Sequence, residues 1–197
     1  MREIAQQHLT TWNSMKTQSK FQMSRVYMAM CEGGEAVEWR FLFNQNIARP
    51  RAQFVTWLVC HGKQATKDRL VRFKMIDDSV CSTCRKAYES REHCFFECES
   101  NAEIWQKVLN WMNYNHQPLK WQEELKWVLN ASSKKGTKAK LLKMAFTEAV
   151  YGIWKRRNDK VFKHTSYTDC VQDIIDCILY RCWNYIKLRN YIGQLLL

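Results

Sequence analysis

Four cysteines and one histidine lie within the eighteen-residue segment CSTCRKAYESREHCFFEC. A Cys-x2-Cys turn, here Cys81 and Cys84, brings two sulfur atoms to one point, and a tetrahedral zinc ion then needs only two more ligands. His93 and Cys98, spaced as His-x4-Cys, can provide them. The spacing therefore predicts a Cys3His zinc site formed by these four residues.

The number of protein ligands indicates what the metal does. Catalytic zinc keeps one position open for water, whereas four protein side chains close the coordination sphere. We therefore predict a structural Zn²⁺. Cys94 is a competing ligand, but its side chain should diverge from that of the adjacent His93 and pack with Phe95 and Phe96. The alternative to a metal site is a chance cluster of buried cysteines with one disulfide.

Helices are expected to position this cluster. Only six glycines and two prolines occur in 197 residues, of which 46% are hydrophobic, and this favours helices joined by short loops. The predicted fold is mostly α, with a small irregular Cys3His patch in the middle. We divide the chain into an N-terminal helical segment (1–47), a zinc-binding module (48–115) and a basic C-terminal helical region (116–197).

Hydrophobic spacing predicts the individual helices. Pro50 begins one that ends at Gly62 and carries an apolar side formed by Phe54, Trp57, Leu58 and His61. Ser100 and Glu103 match a capping box. The predicted helices are 2–15, 25–31, 35–45, 51–62, 67–74, 101–114, 121–130, 139–162 and 168–191.

Basic residues are concentrated in two stretches of a chain whose formal net charge is +12. Residues 47–75 hold seven lysines or arginines against one acid, and residues 131–165 hold ten against two. Segregated positive charge is typical of proteins that bind nucleic-acid phosphates, although solvated helix faces carry such runs too. We predict binding of RNA or single-stranded DNA through Arg51, Lys63, Lys67, Arg69, Arg72, Lys74, Lys155, Arg156 and Arg157.

Aromatic residues leave two interpretations open. Tyr88, Phe95 and Phe96 could stack on unpaired bases, but we favour Phe95 and Phe96 as apolar cover for the metal site. Nine tryptophans and an apolar stripe on the last helix support a rival function, a protein-interaction subunit of a host complex. The stripe comprises Val171, Ile174, Ile175, Ile178, Leu179, Cys182 and Ile186.

Other classes of protein receive no support from the sequence. The histidines outside the cluster lie in no catalytic motif, so we expect no enzyme activity. No run of eighteen apolar residues occurs, so we expect no membrane partner. Nine cysteines without a secretory signal favour an intracellular location, in the nucleus or cytoplasm, with an organelle as the open alternative.

Several motifs surround the cluster in a characteristic order. They are Pro50-Arg51, Phe54 with Trp57, Thr66 with Asp68 and Leu70, Cys81 with Cys84, Glu89-Ser90, His93 with Phe95 and Cys98, and Trp105. Over residues 35–115 this order resembles the zinc-binding domain that follows the reverse transcriptase in non-LTR, LINE-type retrotransposons of plants. Further on, Trp154, Arg157 and Asn158 are similar to a W-x-x-R-N segment often found behind that domain.

The sequence departs from the family pattern at several positions. Arg51 replaces a lysine, Ser90 a threonine and Cys94 a leucine. The F/Y-x-D-D strand that holds polymerase metal ions is missing, since no strand-like alternation surrounds Asp77-Asp78. The resemblance implies a stand-alone, non-catalytic derivative of the element's tail. In a W-x-x-R-N helix, the alternative for Arg157 is an ion pair with an acid in the core.

Overall fold

The computed structural model describes residues 37–133, 136–163 and 169–195, so the helices predicted at 2–15 and 25–31 lie outside the described residues. Of the described residues 68% are helical and none belongs to a strand, which confirms the mostly α fold. No described helix combines the length and apolar composition that a bilayer crossing requires. The division into three segments stays a prediction.

Eight α-helices and two wider π-helical turns follow each other in the described part of the chain. The turns are His93–Glu97 and Asp159–Lys163. The helices are α1 (Arg40–Phe43), α2 (Pro50–Cys60), α3 (Lys67–Arg72), α4 (Glu99–Trp111), α5 (Trp121–Ala131), α6 (Thr137–Asn158), α7 (Cys170–Trp183) and α8 (Ile186–Leu195).

Helix α6 is the centre of the structure. It contacts α2, α4, α5, α7, α8 and the turn His93–Glu97, and 13 of its 22 residues are buried. Gly152 lets α7 approach closely, because a Cβ atom there would lie 2.8 Å from Ile174. The carboxylate of buried Glu148 accepts hydrogen bonds from the backbone and side chain of Arg49, and this fixes the start of α2.

Helix α2 begins at Pro50 as predicted, and Gly62, with φ +61°, follows its end. Its predicted apolar side is not the buried one. Helix α2 instead buries Ala52, Val55, Thr56 and Val59 and leaves Phe54 and Trp57 exposed. Small and β-branched side chains allow α2 to lie close to α6, and large rings on that side would hold the two helices apart.

Three further helix predictions differ from the structure. Within the described residues, the helix predicted at 35–45 is reduced to α1, and the one predicted at 168–191 breaks at Asn184 and Tyr185. The break lets α8 turn back, so that Leu188 and Ile192 are buried while Ile186 is exposed. The capping box does not form, because α4 already begins at Glu99 and includes Ser100 in its first turn.

Candidate metal centre and nucleic-acid interface

The four predicted metal ligands form one cluster. Ligand atoms of Cys81, Cys84, His93 and Cys98 all lie within 4.8 Å of one another, and Cys84 Sγ is 3.2 Å from His93 Nε2. Cys81 and Cys98 are buried, whereas Cys84 and His93 are half-buried. The predicted Cys3His cluster is thus confirmed as an arrangement of side chains.

A short hairpin-like loop presents the first two cysteines. An isolated antiparallel bridge joins Val80 to Tyr88, and the amide of Cys81 donates to the carbonyl of Ala87 at 2.8 Å. Arg85, with φ +56°, reverses the chain between them. The wide turn His93–Glu97 brings the other two ligands together, because the amide of Cys98 donates to the carbonyl of His93 at 2.8 Å.

Hydrogen bonds to sulfur favour the thiolate form. The amide of Thr83 donates to Cys81 Sγ at 3.4 Å and the amide of Lys86 donates to Cys84 Sγ at 3.5 Å. A hydrogen bond from the Cys98 thiol, supported by backbone amides, lowers the pKa of Cys81, and the same contact raises the pKa of Cys98. This contact favours the thiolate at Cys81 over that at Cys98, and a divalent cation would favour loss of the proton from both.

Cys94 takes no part in the cluster. It is buried in the hydrophobic core with Phe95 and Phe96, as predicted. Burial raises the pKa of Cys94, which disfavours a thiolate there. All eight described cysteines are free, so the alternative of a disulfide among them has no support.

The donor set fits zinc. Tetrahedral zinc with Zn–S bonds of ~2.3 Å places sulfur atoms about 3.8 Å apart and sulfur and nitrogen about 3.5 Å apart. The distances in the cluster reach these values with small shifts of the side chains. Three thiolates and one imidazole are also the donors that zinc prefers.

A buried ion pair next to the cluster was not predicted as part of the site. Arg157 and Glu89 are almost completely buried, and two nitrogen atoms of the guanidinium donate to Glu89 Oε1 at 3.0 and 2.5 Å. The same oxygen accepts from the amide of Lys67 at 3.0 Å. Glu89 therefore joins the metal-binding loop to both α3 and the end of α6. In the sequence, the only sign of this ion pair was that Glu89 and Arg157 both belong to the family motifs.

The alternative stated for Arg157, an ion pair in the core, is what the structure shows, and this burial leaves its predicted role in nucleic-acid binding without structural support. Phosphate cannot reach a guanidinium that is only 1% exposed. Its neighbour Arg156 is half-buried and donates to Asn101 Oδ1 at 2.9 Å. Lys155 is exposed. The basic run at the end of α6 is thus divided between core and surface.

The other predicted basic residues lie on or near the surface. Lys67 pairs with Asp78 at 2.6 Å, and Arg69 is half-buried. The exposed members are Arg51, Lys63, Arg72 and Lys74. Exposure makes these residues available to phosphate, and their role stays a prediction.

Three of these residues meet in one cleft of about 410 Å³. Lys63, Arg69 and Arg72 line it together with Arg91, which sequence reasoning did not select. Arg69 is fixed there, because its Nη1 donates to the carbonyls of Gly62 and Gln64 at 2.6 and 3.2 Å. We call this group the basic cleft.

The aromatic residues of the cysteine-rich segment lie in different environments. Phe95 and Phe96 are buried against Trp121, with ring centroids 5.4 and 5.7 Å away, so they serve as cover and not as a stacking surface. Phe95 also stacks on Trp154 of α6 at 6.3 Å. Tyr88 is exposed.

Fold and cluster together define a helical protein with a Cys3His candidate zinc site. Residues 21–105 match the family model described as zinc-binding in reverse transcriptase. This confirms the predicted resemblance at the level of that domain, and the matched range includes the complete cluster and Glu89 but not Arg157. No curated protein and no solved structure matches the chain at a significant level.

Proposed function

We propose that this chain is a non-catalytic, zinc-containing protein that binds RNA or single-stranded DNA. The observation that carries this proposal is the basic cleft, where Lys63, Arg69, Arg72 and Arg91 surround one space. The acids that line it are Asp68 and Glu92, and Glu92 is paired with Arg91 at 2.5 Å. A phosphate group would balance the remaining positive charge.

Zinc has a structural role in this proposal. Four protein donors close the site, so the ion has no open position for a substrate or water. The cluster holds together the loop of Cys81 and Cys84 and the turn His93–Glu97, whose phenylalanines contribute to the core. Metal binding and folding would then be coupled.

The finer part of the proposal is an origin in the tail of a plant LINE-type reverse transcriptase, and the family match supports its reverse-transcriptase part. The motifs Glu89-Ser90 and W-x-x-R-N are joined in space by the ion pair of Glu89 and Arg157. A contact between two motifs of one family is expected if both descend from the same ancestor. An intracellular location, in the nucleus or cytoplasm, agrees with eight free cysteines among the described residues.

The test is the salt dependence of binding. Fluorescence anisotropy with a single-stranded RNA of about 16 nucleotides should show weaker binding for Lys63→Glu/Arg72→Glu than for the unmodified protein. Each lost phosphate contact should reduce the slope of log K against log salt by about 0.7, so the double variant should reduce it by roughly 1.4.

A matched control makes the same charge change elsewhere. Lys107→Glu/Lys126→Glu alters two exposed lysines on α4 and α5, and it should leave the slope nearly unchanged. If both double variants weaken binding equally, the basic cleft is not the phosphate site. If the unmodified protein does not bind at about 50 mM salt, the proposed function is wrong.

A second candidate function rests on the C-terminal helices. Tyr180 and Trp183 are 77% and 68% exposed, and they line an apolar groove of α7 and α8 with Leu179 and Ile192. Such a patch favours a protein-interaction subunit. Association through it should be nearly independent of salt and should be lost in Trp183→Ala.

A further inference from the structure

A row of aromatic rings occupies the exposed side of α2. Phe54 and Trp57 are 59% and 37% exposed. Their rings are stacked, with centroids 6.2 Å apart and an interplanar angle of 16°. His61 continues the row, since its ring lies 4.3 Å from that of Trp57 and 4.8 Å from that of Trp39. We call Phe54, Trp57, His61 and Trp39 the aromatic row.

Phe54 and Trp57 lie outside the side of α2 that is buried in the core. Helix α2 reaches the core through Ala52, Val55, Thr56 and Val59, on its other side. A buried aromatic side chain removes 150–250 Å² from water, so the exposed parts of Phe54 and Trp57 give up stabilisation that full burial would provide. Contiguous exposed apolar surface of this kind commonly marks an interaction site.

Positive charge lies at both ends of the aromatic row. Arg51, which is exposed, precedes Phe54 by three residues and therefore lies on a neighbouring part of the helix surface. At the other end, His61 is followed directly by Gly62 and Lys63, which line the basic cleft. From Arg51 to His61 this surface spans about 15 Å along the helix axis, at 1.5 Å per residue.

This arrangement, aromatic rings with positive charge at both ends, indicates the chemistry of the ligand. Single-stranded nucleic acid presents unpaired base faces that stack on aromatic side chains, with phosphates that follow a basic groove. A duplex hides those faces within its own stack. An apolar protein partner would use the rings but would leave the arginine and lysine at the two ends without a counterion.

We infer that Phe54 and Trp57 stack on unpaired bases of a single strand whose phosphates lie along Arg51 and the basic cleft. This inference rests on the proposed function and deepens it, because it names the residues that select single strands over duplexes. His61 supports the position of Trp57 through an edge contact, and Trp39 in turn makes an edge contact with His61.

The experiment measures binding of the zinc-loaded full chain to a labelled oligouridylate of about 16 nucleotides and to a duplex of the same length. Trp57→Ala and Phe54→Ala should each weaken single-strand binding by roughly five- to 150-fold. The salt slope should stay unchanged, since no phosphate contact is removed. Trp57→Phe should retain most of the affinity, whereas Phe54→Leu, which keeps apolar surface without a ring, should not.

The matched control is Trp183→Ala, which removes a tryptophan of α7 that is 68% exposed and should bind the oligouridylate normally. Circular dichroism and zinc content verify that every variant is folded. If the ring variants bind normally while Lys63→Glu/Arg72→Glu does not, the stacking inference is wrong and the proposed function stands. If the unmodified protein binds neither probe at low salt, both are wrong.

Discussion

At the scale of residues, Cys94 and Cys98 show how position in a turn separates a ligand from a core side chain. Both lie in or next to the turn His93–Glu97. Cys98 meets His93 because their backbones are bonded across the wide turn, while Cys94 belongs to the hydrophobic core. The thiol that lies beside His93, Cys81 and Cys84 is therefore the one that fits a metal.

The first prediction concerns these two cysteines. Cys98→Ser should reduce bound zinc from about one equivalent to near zero, because structural zinc needs its full donor set and metal binding is coupled to folding. Elemental analysis of purified protein measures this directly. Cys94→Ala removes a buried sulfur atom without removing a ligand, so it should keep its zinc. The assignment of ligands is wrong if Cys94→Ala loses the metal and Cys98→Ser keeps it.

Residue spacing predicted the cluster because all four ligands lie within eighteen residues. The turn geometry of Cys-x2-Cys and His-x4-Cys is local, and local geometry is visible in sequence. The ion pair of Glu89 and Arg157 spans 68 residues, and only the packed fold brings its partners together. Spacing alone could therefore place Arg157 in a basic run but not choose between core and surface.

At the scale of elements, α2 shows that hydrophobic periodicity does not always identify the buried face of a helix. The helix has apolar residues on nearly every side, so its sequence predicts a helix but not which face is buried. Size decided the outcome: Ala52, Val55 and Val59 fit against α6, and the larger Phe54 and Trp57 do not. The ends of α2 were easier to predict, because proline, here Pro50, favours the first turn of a helix and glycine, here Gly62, favours the position after its last turn.

The second prediction tests the contact of α6 with α7. Gly152→Ala adds a methyl group 2.8 Å from Ile174, and such overpacking costs about 1–3 kcal/mol. This exceeds the gain of about 0.5–1 kcal/mol that alanine brings to a helix interior. Urea denaturation should therefore show a net loss of about 1 kcal/mol in the free energy of unfolding.

Gly193 in α8 provides the control for that substitution. Nothing lies within 4 Å of a Cβ atom placed there, so Gly193→Ala should stabilise the protein by about 0.5–1 kcal/mol. Should both alanine variants raise the urea midpoint, α6 and α7 are less closely packed than the contact of Gly152 with Ile174 indicates.

At the scale of the whole molecule, the metal centre and the helical core are continuous. Phe96, three residues from His93, has its ring 5.9 Å from that of Phe146 in the middle of α6. Trp121 of α5 lies against both rings. A disturbance at the cluster should therefore reach α6 through these aromatic contacts.

The third prediction follows from this continuity. Removal of zinc by a chelator should increase amide hydrogen exchange in α5 and in the part of α6 around Phe146, as well as in residues 81–98, because metal binding stabilises the turn that supplies Phe95 and Phe96. The same chelator saturated with zinc is the control. If exchange increases only within residues 81–98, the metal stabilises its own loop and not the core.

The ion pair of Glu89 and Arg157 also has a consequence for the order in which the chain is made. The cluster is complete once Cys98 has been synthesised. Arg157, the partner of Glu89, is synthesised 68 residues after Glu89. At about 5–20 residues per second, that delay lasts about 3–14 s. During most of this interval the nascent chain already has all four metal ligands, while the carboxylate of Glu89 still faces water. The speed of translation between Glu89 and Arg157 therefore sets how long the Glu89 carboxylate must be stabilised by water or by a chaperone. After that interval, Arg157 of α6 is available to pair with it.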